Sequence, residues 1–167
     1  MFSSVVEDSE GNYIAVGYID ENTIYRPLFN WMKNGDAWIV KFDSNGNIIW
    51  EKTLGGRNAD LFRSIVVDEE GNYIVAGFTA SEDYDDADRY HSLVALTSDA
   101  LLVKFDSKGN IVWDRIIGGS NTDSFESVIV NFYGNYVSVG YSNSGDFDVT
   151  DGNNGSLDGF IWGEAAD

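Results

Sequence analysis

Short apolar segments along the chain alternate inside and outside positions with a period of two, and polar, glycine-containing stretches separate them. Between Ser64 and Ile117 this pattern predicts four strands: about Ser64–Val67, Tyr73–Phe78, about Ala100–Phe105, and Ile111–Ile117. Asp68–Asn72 joins the first two and Asp106–Asn110 the last two, both reading D-x-x-G-N. In such a turn the Asp carboxylate accepts from backbone N–H groups. The Gly supplies the positive φ of a type I turn with a G1 bulge. Asp8–Asn12 and Asp43–Asn47 repeat the motif, and Asn131–Asn135 repeats it with Asn in place of Asp. No stretch carries apolar residues at helical spacing, so the expectation is all-β.

The predicted third strand places Ala100, Leu102 and Lys104 on one face and Leu101, Val103 and Phe105 on the other. Both faces are mainly apolar, which calls for a sheet covered on both sides. In the fourth strand Glu51-Lys52 and Asp114-Arg115 interrupt the apolar run beside Trp50 and Trp113. Charges of this kind mark an edge strand.

The pattern is a repeat. Asp36–Gly56 (DAWIVKFDSNGNIIWEKTLGG) and Asp99–Gly119 (DALLVKFDSKGNIVWDRIIGG) are identical at 13 of 21 positions. A third copy starts at Asp158 with Gly159-Phe160-Ile161-Trp162 and departs at Gly163. A second block recurs at Phe2–Tyr18, Phe62–Phe78 and Phe125–Tyr141, with Gly11, Gly71 and Gly134 spaced by 60 and 63 residues. The chain therefore reads as one repeat domain with units of roughly 1–57, 58–120 and 121–167, the last without a fourth strand. Four-stranded antiparallel units, covered on both faces and polar at the last strand, suit β-propeller blades. A three-sheet β-prism is the alternative architecture.

The D-A-W-I-V-K-F-D-S-N-G-N-I-x-W run, the G-G-x-N-x-D link and the S-x-x-V-x-x-x-G-N-Y-x-x-x-G-[YF] block resemble the bacterial β-propeller repeats (SBBP-like) of secreted and cell-surface proteins. The resemblance spans nearly the whole chain. It implies a tandem array in an extracellular or cell-surface protein and carries no common reaction. Propellers close with four or more blades, so three units imply either further units or association of copies. The expectation is self-association, as a homodimer that completes a six-bladed ring.

Composition narrows the partners. The 167 residues hold 28 acids against 10 bases, a formal net charge of −18. That field disfavours nucleic acid and anionic membranes and leaves protein, carbohydrate or cations. Cysteine is absent, which removes disulfides, thiolate metal sites and cysteine nucleophiles. No apolar run reaches the length of a membrane-spanning helix, and Met1-Phe2 leads into Val5-Val6 without a leader pattern.

Candidate chemistry falls on the long connections between second and third strands, roughly 19–35, 79–98 and 142–157. Asp146, Asp148 and Asp151, followed by Gly152-Asn153-Asn154, offer alternating oxygen donors that suit Ca²⁺, although the spacing is not that of an EF-hand. Against this stands the reading of a solvated acidic loop, as for Glu82, Asp83, Asp85, Asp86 and Asp88. Tyr25, Trp31, Tyr84 and Tyr90 are aromatic candidates for stacking on a carbohydrate. His91 lacks partners at metal or triad spacing. Residues that recur in each copy (Asn58/Asn121, Asp60/Asp123, and Trp38, Trp50, Trp113, Trp162) are expected to serve the fold. No catalytic motif is present, so the expected role is non-catalytic binding or scaffolding. The alternative is a hydrolase acting on glycans or a carbohydrate-binding propeller, using loop carboxylates and aromatics.

Overall fold

The computed structural model describes residues 1–19, 35–81, 97–149 and 157–165. These are all-β with no helix. The first sheet orders β1 (Phe2–Glu7), β2 (Tyr13–Ile19), β3 (Asp36–Phe42) and β4 (Ile48–Leu54) consecutively. The second repeats this with β5 (Asp60–Val67), β6 (Tyr73–Thr79), β7 (Asp99–Phe105) and β8 (Ile111–Ile117). The third contains β9 (Asp123–Val130), β10 (Tyr136–Ser142) and β11 (Asp158–Glu164). Every pairing is antiparallel.

The first strand of the second unit is longer than its hydrophobic pattern predicted, starting at Asp60 rather than Ser64. A register shift between Phe62 and Ser64 explains why. The bulge breaks the alternation on which strand prediction depends, while pairing continues beyond it to Thr79. The turns match expectation: Gly11, Gly46, Gly71, Gly109 and Gly134 all have φ of 79° to 84°. In each, the first residue's side-chain oxygen accepts from two backbone N–H groups, as Asp68 does from Glu70 (3.0 Å) and Asn72 (2.8 Å). Asn131 fills the same role through its Oδ1, at 2.9 Å from Tyr133 N and 3.1 Å from Asn135 N.

The sheets stack face to face. β5 packs against β1, β2 and β3, and β9 against β5, β6 and β7, so the first strand of each unit lies innermost and the fourth fans outward. One core layer joins Ile14, Val16 and Ile39 to Phe62, Val75, Leu101 and Val103. The next joins Ile74, Ala76 and Leu102 to Phe125, Val128 and Tyr136. The second sheet is therefore covered on both faces and β7 is buried throughout, as its two apolar faces required. Trp50, Trp113 and Trp162 pack on these layers. Trp38 lies elsewhere, stacked on Phe2 at 4.7 Å on the face of the first sheet turned away from the second. The described residues form no closed barrel.

Candidate functional site

Each internal junction between sheets is fastened at both ends by polar groups. At the turn end, Lys41 and Asp8 of the first sheet meet Tyr73 of the second. The Lys41 ammonium lies 2.8 Å from the Asp8 carboxylate and donates to Tyr73 Oη at 3.0 Å. The Tyr73 hydroxyl donates to Asp8 Oδ2 at 3.1 Å. The next junction repeats the clasp. Lys104 donates to Tyr136 Oη at 2.9 Å and lies 3.4 Å from Asp68, which accepts from the Tyr136 hydroxyl at 2.9 Å. Burial alone would push Asp8 and Asp68 up. Hydrogen bonds from Lys41 and Asn12 hold Asp8 below its ordinary value, and those from Asn72 and Tyr136, with the Lys104 charge, do the same for Asp68. Lys41 and Lys104 are raised, because the hydrogen bonds they donate to carboxylate and phenol oxygens outweigh their desolvation.

At the loop end, each junction places a pair of acids beneath a glycine, with Asp36 half-buried and the other three acids buried. Asp60 accepts from Ser81 Oγ (2.7 Å), Gly56 N (3.0 Å) and the Thr79 hydroxyl. A Cβ on Gly55 would stand 2.5 Å from Asp60 Oδ2 and 2.8 Å from Asp36 Oδ1, so only glycine lets the strand cross this pair. Desolvation, with the Asp36 charge adding to it, pushes the Asp60 carboxyl up to about 6 despite its three donors. The second junction uses Asp99 and Asp123 beneath Gly118 in the same way. Asp123 accepts from Gly119 N (2.9 Å) and Ser144 Oγ (2.8 Å), and burial raises its pKa too.

Asp60 and Asp123 have the raised pKa of many catalytic acids but lack their access. Asp60, Asp99 and Asp123 are all but sealed from solvent. They hold the strand-to-strand link rather than face a cleft. Asn58 behaves likewise, donating from Nδ2 to Ala80 O at 2.9 Å, in line with the fold-serving role expected of the G-G-x-N-x-D link.

Of the three proposed calcium ligands, Asp146 points inward and accepts from Ser120 N at 2.8 Å, which lowers its pKa. Asp148 donates its backbone N–H to Gly118 O at 3.2 Å. Asp151 lies outside the described residues. Among the described residues no three potential ligands gather. Phe147, between the two acids, has a φ of 53°, so this segment is bent into the link after β8. Tyr25, Trp31, Tyr84, Tyr90 and His91 also lie outside the described residues. An open groove between β4 and the Asp106–Asn110 turn is lined by Lys52, Leu54, Phe105, Asn110 and Ile111, with no carboxylate among the described residues that line it.

The clasps were not anticipated, yet their signal was in the repeat: a lysine in the middle of an apolar third strand, at 41 and again at 104. A second unread signal is Phe132-Tyr133, which replaces Ser9-Glu10 and Glu69-Glu70 of the other turns. The two rings form an edge-to-face pair at 5.6 Å, and Phe132 is 97% exposed.

The sequence matches no family model and no curated protein. A crystal structure of a protein of unknown function from Bacteroides caccae is similar, at a TM-score of 0.46 and 12% identity over 82% of this chain. The chain spans 37% of that structure's length.

Proposed function

We propose that the chain is a non-catalytic β-propeller module that binds or scaffolds, of the kind found in bacterial extracellular and surface proteins. The observation that carries this reading is the use to which the buried acids are put. Asp8, Asp60, Asp68 and Asp123 each accept hydrogen bonds from the fold's own groups and sit inside junctions between sheets. A glycosidase needs two carboxyls facing each other across an open cleft. The repeat spends its acids on rigidity and leaves recognition to the connections at the loop end, which vary between units. The ligand class that fits an acidic module with aromatic loop residues is a neutral glycan or a protein surface.

The test is electrophoresis of the purified chain through gels that contain soluble neutral polysaccharides, alongside measurement of reducing ends released from the same polymers. Retarded migration without new reducing ends supports the proposal. Release of reducing ends, abolished by substituting a loop acid, overturns it in favour of a hydrolase.

A further inference from the structure

Equivalent positions in the three units have different exposures, and the difference locates two unfilled interfaces. Phe62 and Phe125 are fully buried by the preceding sheet, whereas their counterpart Phe2 is 46% exposed. Ile65 and Val128 are 5% and 4% exposed, but Val5 is 61%. Tyr73 and Tyr136 are each 1% exposed, but Tyr13 is 43%. The outer face of the first sheet is thus the receiving half of a junction, with none of the described residues packed on it. At the other end of the arc, Ile39 and Leu102 are fully buried by the following sheet, and their counterpart Ile161 is 72% exposed. The outer face of the third sheet is the matching delivering half.

The third sheet differs from the others at the charged positions of the clasp. Where the first sheet has Asp8, Glu10 and Lys41, and the second Asp68, Glu70 and Lys104, the third has Asn131, Tyr133 and Gly163. Glu10 belongs to the group, because its carboxylate reaches to 3.9 Å from the Lys41 ammonium. All three charges are gone together, so neither half of the ion pair is stranded. A sheet that ends an array in water does the opposite and gains charge on its outer face. Removal of every charge suits a face that is buried. The turn acceptor is retained, since Asn131 Oδ1 still holds the turn. Its Nδ2 occupies the place of the oxygen that meets Tyr136 in the neighbouring unit and can donate to an incoming tyrosine hydroxyl.

We propose that the outer face of the third sheet docks on the outer face of the first sheet of a second copy, through a neutral version of the internal junction, with Asn131 meeting the second copy's Tyr13. The occupant is another copy because the first sheet presents the same Phe, apolar and Tyr positions that the internal junctions bury. Two copies docked reciprocally supply six sheets, within the range of closed propellers. The inference rests on the stacking of sheets and not on any ligand, so it stands or falls separately from the binding role.

Sedimentation equilibrium at micromolar concentration tests it with variants at the exposed Val5 and Ile161 and the half-buried Asn131, each checked for an unchanged circular dichroism spectrum. Wild type is expected at twice the 18.5 kDa chain mass. Val5→Asp and Ile161→Asp are each expected at the chain mass. An equimolar mixture of the two is expected to recover a species of dimer mass, because each variant retains the half that the other has lost. Asn131→Asp restores a carboxylate without its lysine and is expected to weaken dimerisation at least tenfold at pH 7. Wild type at the chain mass overturns the proposal. A mass that grows without limit overturns the closed pair, and failure of the mixture to recover overturns the first-to-third arrangement.

Discussion

Substituting Lys104 by Met tests whether the clasp is one unit. The Lys104 side chain is 5% exposed and its ammonium faces an Asp68 side chain that is 7% exposed. Removing it leaves a buried carboxylate that keeps the Tyr136 and Asn72 donors but no counter-charge. Breaking one side of such a pair costs about 3–5 kcal/mol, a large share of the roughly 5–15 kcal/mol that holds a domain together. Asp68→Asn alone keeps the turn, as Asn131 does, but leaves Lys104 buried opposite only a phenol, at a cost of about 2–4 kcal/mol. The double variant has no stranded charge and resembles the third sheet's own solution. Its cost is expected to be about 1–2 kcal/mol, well below the sum of the single costs. Urea titration followed by tryptophan fluorescence and circular dichroism gives the four free energies. Strict additivity would refute the clasp as a coupled unit and leave the third sheet's joint loss of charges without an energetic reason.

The pH dependence has a definite sign. Asp60 titrates near 6 in the fold against an ordinary 3.8, so the folded state holds more protons between those values, and stability falls as pH rises through that window. A shift of that size corresponds to about 3 kcal/mol. Asp8 and Asp68, held low, contribute stability that is lost as pH falls below about 4. Thermal midpoints should therefore peak in mild acid, and a midpoint that climbs steadily from pH 4.5 to 7.5 would contradict this. Gly77→Ala places a Cβ 1.9 Å from Leu61 O, on backbone that cannot move aside, and should cost at least about 2 kcal/mol in urea unfolding. An unchanged midpoint would show that the strands separate freely there. Calcium should raise the melting temperature of wild type and Asp148→Asn alike, since Asp146 is engaged with Ser120. A response confined to wild type would restore the third loop as a metal site.

The sheets were legible because the repeat states the same instruction three times. Period-two alternation gave the strands, and D-x-x-G-N gave the turns, whose glycines all adopt positive φ. The three described strands of the last unit were visible too, through the Phe125–Tyr141 block and the third copy that starts at Asp158. What escaped depends on contacts between units. The start of β5 was hidden by its bulge at Phe62, and the stacking of Trp38 on Phe2 was not legible because sequence alone does not say which sheet face lacks a neighbour. The Asp8–Lys41–Tyr73 clasp joins residues up to 65 apart in the chain, so only comparison of units could have suggested it. The hydrogen bond that Asp146 accepts from Ser120 was not legible either, because it is set by loop conformation rather than by spacing.

Electron microscopy of the negatively stained chain at micromolar concentration reaches the central claim most directly. Class averages of a ring with six lobes around an open centre, related by a two-fold axis, are what two interlocking three-sheet arcs predict. Isolated arcs of three lobes at the same concentration would contradict it.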